Sequence, residues 1–332
     1  MPVTLDHIRK LPKLELHIHF EGAIEHGRIA EFARKTGTSI DQSIADKMKL
    51  TPAKDIASTL KWATGLIQTP KELADCAYAI AEALARDGIV YAEVTITPSL
   101  WPSKWNPAEL FAAIGEGFQK AADAKLIECF MVPAFLFEDD REAAREQVRL
   151  MTVERLPRVV GLGIWGESSS RSSVKAFASV FDAAREAGFG LSAHGGAAGN
   201  PKAIAEVLEW LRPHRLESVE AIAQDRSLTM KLAEDCRPCS ICLTSSEALG
   251  IVEKVKNPFG RLVKEGVPVY LGTDFPTSLG VSLTTEVHCA AALCEWDFAR
   301  VKASMQRAID AAFCPEQERG RMAFNIEGFM PE

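Results

Sequence analysis

The feature that most limits the fold is an alternation repeated along the whole chain. Short apolar runs rich in β-branched residues are each followed by a stretch with helical periodicity. The runs are Leu14–His19, Ile89–Ile96, Ile127–Phe135, Val159–Ile164, Gly190–His194, Arg215–Ser218, Ser240–Leu243 and Val267–Gly272. Amphipathic segments such as Lys71–Arg86, Pro107–Ala124, Arg141–Glu154, Val174–Ala187 and Lys202–Leu211 lie between them. Such alternation specifies a parallel sheet with crossover helices. Eight strands, with no GxGxxG after the first, predict a closed (β/α)8 barrel of the TIM type over an open doubly wound sheet. Ile24–Thr69 is predicted as a helical insertion after the first strand, and Trp296–Glu332 as helices that cap the barrel. At 332 residues the chain suits one hydrolase-sized domain over 1–332, because barrels of this type run to about 250 residues and more with insertions.

Composition narrows the partners. The chain is 47% hydrophobic and 25% charged, with no apolar run near the roughly 18 residues that a membrane helix needs. Its net charge of −7 argues against a phosphate backbone, which demands a basic face, so a small-molecule substrate is expected and nucleic acid and membrane are not. The first ten residues lack the pattern of an export signal, so a cytoplasmic protein with reduced thiols is expected from the eight cysteines. Cys236, Cys239 and Cys242 form a CxxCxxC run whose thiolates could hold zinc, but no fourth ligand is near and Cys242 falls in a predicted strand.

Histidines mark the chemistry. His17 and His19 end the first predicted strand two residues apart, so both imidazoles can face one ion. His194 ends the fifth strand and Asp274 follows the eighth. All strand C-termini of a barrel meet at one face, so these four residues would converge into a nitrogen and oxygen site suited to one zinc ion with room for a water. Zinc lowers the pKa of bound water to about 7, giving a hydroxide nucleophile, and Asp274 is expected to act as ligand and base together.

The motifs Leu11–Ala23, Tyr91–Val94, Ser192–Gly199, Leu243–Ser246 with Leu249-Gly250, and Asn257-Pro258 through Gly266–Val269 to Thr273-Asp274 resemble, in order and over nearly the whole length, the adenosine deaminase family of the amidohydrolase superfamily. That resemblance implies the barrel, a metal-dependent hydrolase, and zinc on His17, His19, His194 and Asp274. It places Glu21 where the family contacts a ribose hydroxyl, and Gly166 where a backbone amide meets the purine ring. Three positions depart from it. The family's ring-protonating Glu after the strand-five histidine is Ala197, in Gly195-Gly196-Ala197; its water-orienting His on strand six is Ser218, in Arg215-Leu216-Glu217-Ser218; its second Asp on strand eight is Phe275. A positioned acid or base contributes about 10²–10⁴-fold in rate, so losing two of them removes efficient adenosine deamination unless other groups substitute.

Glu167, after strand four, is the expected substitute acid; Glu217 beside Ser218 is expected to point outward by alternation. Trp165 and Phe275 would line an aromatic pocket, either as packing or as stacking walls for a flat ligand. Three functions remain open: hydrolysis by metal-bound hydroxide of a C–N bond in a cyclic or heteroaromatic molecule other than adenosine, purine deamination with a relocated acid, and a silent homologue that binds zinc or a ligand.

Overall fold

The first strand, β1 (Lys13–His19), shows why the chain curls into a barrel. Lys13, Glu15, His17 and His19 share one face, and Leu14, Leu16 and Ile18 the other. All seven are buried, so the apolar face serves the helical layer while the polar face must find partners across the barrel. Glu15 does so at Thr273 Oγ1 (2.8 Å) and His17 at Ser240 Oγ (2.6 Å). In this computed structural model, which describes residues 3–52, 54–166, 171–195, 200–251 and 257–330 (backbone only for 171–173), the strands follow one another in parallel in chain order.

After β1 come β2 (Ile89–Ile96), β3 (Glu128–Leu136), β4 (Gly161–Trp165), β5 (Gly190–His194), β6 (Arg215–Glu217), β7 (Cys239–Ile241) and β8 (Val269–Leu271). The barrel closes where Ile18 bridges Asp274, with His19 N–H donating to Asp274 O and Asp274 N–H to His17 O, each at 2.8 Å. The predicted fold class is therefore observed. Four predicted strands are shorter than expected: β4 starts only at Gly161, Ser218 leaves β6 at a left-handed φ of +53°, Leu243 already belongs to the helix Leu243–Ala248, and β8 keeps only Val269–Leu271.

Between β1 and β2 the chain forms the helices His26–Thr36, Ile44–Met48 and Ile56–Gly65 before the crossover helix Pro70–Arg86, which Thr69 caps through Glu72 N–H. The tail forms Phe298–Ala311 and Glu316–Gly328, and Phe313 between them plugs the floor of the barrel. A Cβ on Gly190 would lie 2.1 Å from the Phe313 ring and one on Gly161 2.8 Å from it, so both strand starts need glycine. Among the described residues no helix is long and apolar enough to cross a membrane.

Candidate active site

β1, β5 and the residue pair after β8 deliver four side chains to the C-terminal mouth of the barrel. The candidate ligand atoms of His17, His19 and His194 all lie within 4.8 Å of one another, and no other group of three or more metal-capable side chains occurs among the described residues. Asp274 Oδ1 approaches from one side, 3.4 Å from His19 Nε2 and 3.7 Å from His17 Nε2. The Nε2 atoms of all three histidines and Asp274 Oδ1 are buried without a hydrogen-bond partner. Buried polar atoms are normally satisfied, so four orphans facing one point fit a shared cation.

The surrounding groups orient these donors. His17 Nδ1 is hydrogen-bonded to Ser240 Oγ at 2.6 Å, with Cys242 Sγ at 3.3 Å, so Nε2 is the ring nitrogen left facing the other donors. Ser245 Oγ–H donates to Asp274 Oδ2 at 2.5 Å and so turns Oδ1 toward the histidines. Burial lowers the His17 pKa to about 3 and holds His19 well below its ordinary value, so both rings are neutral. Burial also raises Asp274 to about 7 where no cation is beside it. Asp274 takes a left-handed φ of +59°, which swings its side chain off the strand path toward the ligands.

The model of the adenosine deaminase family matches residues 12–328. The chain belongs to the adenosine deaminase family. It is accordingly a metal-dependent hydrolase acting on C–N bonds. It is 30% identical to an aminodeoxyfutalosine deaminase of Streptomyces avermitilis, covering 97% of this chain and 92% of that one. It is 29% identical to an adenine deaminase of Chelativorans sp., covering 94% and 97%. An amidohydrolase from Burkholderia ambifaria with bound zinc shares the fold at a TM-score of 0.87 and 22% identity, over 98% of this chain and 94% of that one.

The positions where the chain departs from its family are settled to different degrees. Phe275 is buried and its ring stacks on His19 at 4.7 Å, seated in a notch that only Gly22 permits, since a Cβ there would come 2.5 Å from Phe275 Cδ1. Trp165 packs edge-on to His19 at 4.7 Å, and its indole N–H donates to Thr97 Oγ1 at 2.7 Å. Both rings therefore wall the metal cluster. Ser218 is half-buried at the end of β6. Gly166 holds a φ of +96°, which other side chains rarely adopt. Glu21 is fully buried; its Oε1 accepts from Thr97 N–H and the Trp101 indole N–H at 2.9 Å each, while Oε2 has no partner, and burial raises its pKa to about 7. Glu167 and Ala197 lie outside the described residues.

One expectation needs correction. Glu217 does not point outward: it is 2% exposed and its Oε2 lies 3.4 Å from His194 Nε2. Alternation was anchored on Ser218, whose left-handed backbone breaks the period of two. The reliable anchor is Arg215, which faces the barrel axis and carries Glu217 with it two residues on. The CxxCxxC run is no metal centre among the described residues: Cys236 is exposed, Cys239 Sγ donates to Arg237 O, and Cys242 Sγ meets His17. Ser240 and Ser245 were not assigned roles, although both sit in or beside the strand-seven motif.

Proposed function

We propose that the chain is a zinc-dependent hydrolase, holding one ion on His17, His19, His194 and Asp274, that opens a C–N bond in a flat cyclic or heteroaromatic molecule other than adenosine. The observation that carries this reading is the convergence of four orphaned donor atoms beneath two aromatic walls. Zinc bound there supplies an activated water at neutral pH and a Lewis acid for the bond under attack. Asp274 would hold the ion and accept a proton from water there, while Ser245 fixes Oδ2. Trp165 and Phe275 exclude bulk water and offer flat apolar faces, and Gly166 and Glu21 Oε2 contribute polar contacts to the substrate. Ala197, Ser218 and Phe275 leave a pocket without the groups that read and protonate a purine ring, so a substrate whose carbonyl zinc can polarise needs no ring acid.

Deamination of a purine-like ring, with Glu167 as proton donor, is the second reading, and the names of the curated relatives favour it. Both enzyme readings are tested by following ammonia release across amides, lactams and aminoheterocycles. His17→Ala should abolish all hydrolysis while circular dichroism shows a folded barrel; activity that survives it contradicts both readings. Loss of deamination in Glu167→Gln alone supports the second reading. No turnover of any substrate by the zinc-loaded wild type points to a silent homologue. Catalysis by a cytoplasmic protein of small metabolites completes the proposal.

A further inference from the structure

In the register of β5 with β6, Glu217 pairs with His194 and so lies in the same layer of the barrel. Arg215, two residues earlier on the same face, reaches across the axis to Glu93 and donates to Leu16 O at 3.0 Å. It also donates from Nε to Glu217 Oε1 at 3.2 Å, which fixes that carboxylate and leaves Oε2 aimed at His194 Nε2, 3.4 Å away. This nitrogen is a candidate metal donor with no hydrogen-bond partner. Ligand bonds of about 2.0–2.2 Å place adjacent donors of a four- or five-coordinate ion about 2.8–3.8 Å apart. The spacing of Glu217 from His194 equals that of Asp274 from His19, 3.4 Å.

Charge points the same way. Glu93 and Glu217 share one guanidinium in a region where Arg215 is fully buried. This trio carries one net negative charge, and buried charge is costly without a counter-ion. A divalent cation between Glu217 and Asp274 supplies it.

We propose that Glu217 is a further ligand of the metal, entering from the His194 side as Asp274 enters from the side of His17 and His19, so that the donor set is three nitrogens and two carboxylates. This rests on the metal reading above and extends it. Arg215 acts as the positioning residue for the added carboxylate.

Cobalt(II) and zinc(II) serve as probes. Apo wild type and Glu217→Gln are loaded with either ion, affinity is read by competition with a chelator, and the visible spectrum of the cobalt form reports coordination. The glutamine variant should bind at least about 10-fold more weakly and show a changed cobalt spectrum. Equal affinity with an identical spectrum overturns the proposal. If the variant does not fold, a crystal structure of the zinc-loaded wild type decides: Glu217 Oε2 within about 2.0–2.2 Å of zinc supports the proposal, and a longer, non-bonding separation overturns it. A folded wild type that takes up no metal overturns the metal site as a whole, a failure distinct from loss of the Glu217 contact alone.

Discussion

The layers below and above the metal donors are built on opposite principles. Below, Tyr91, Glu93 and Arg215 form a chain of buried polar contacts contributed by β2 and β6, which ends on Glu217 in the layer of His194. Phe313 closes it: its N–H donates to Glu93 Oε1 at 2.5 Å, and its ring lies 4.1 Å from the Arg215 guanidinium. Above, Trp165 and Phe275 pack on His19 with one polar contact between them, the indole to Thr97. Each charge below has partners on several strands, so removing one exposes the others to an uncompensated low-dielectric environment. The rings above depend mainly on packing, with the indole anchored on Thr97. A barrel can therefore exchange the polar groups at its mouth for aromatic ones without touching its fold, whereas its floor is fixed by mutual dependence.

Arg215→Met breaks the lower layer. It leaves Glu93 and Glu217 unpaired, and the expected loss is about 3–5 kcal/mol in denaturant unfolding. Phe275→Ala tests the upper layer. It opens a cavity over His19, with a cost of about 3 kcal/mol, but zinc content at saturating metal should not change. If the two variants lose stability and metal in parallel, the layers are not separate.

The smallest effect concerns the floor. Burial lowers Lys13 to about 8 while its Nζ donates to the carbonyls of Ile8 and Leu11 at 2.8 and 3.1 Å. The folded chain thus binds fewer protons than the unfolded chain between pH 8 and about 10.5, so this cost is complete below pH 8 and relieved above it. The stability of wild type relative to Lys13→Met should rise across that window by on the order of 1–3 kcal/mol. A flat difference means that Lys13 titrates normally.

Much of this was legible in the sequence, and the reasons for the remainder are specific. The eight strands and the convergence of His17, His19, His194 and Asp274 follow from alternating runs and from barrel geometry, which brings strand ends together whatever their separation. The Arg215–Glu93 pair and the Arg215–Phe313 contact join residues 122 and 98 positions apart, and periodicity carries no signal for such pairs. Glu217 was misplaced because a left-handed residue that is neither Gly nor Asn follows it, and composition does not announce that turn. The usable signal was Arg215-Leu216-Glu217 itself, an opposite-charge pair on one face of a short strand.

An intact metal site put to a changed task is tested most directly by zinc content measured together with adenosine turnover on the same purified sample. About one zinc per chain with no inosine formed is the predicted result. Rapid inosine formation by the zinc-loaded protein, or a folded protein that retains no metal, would contradict it.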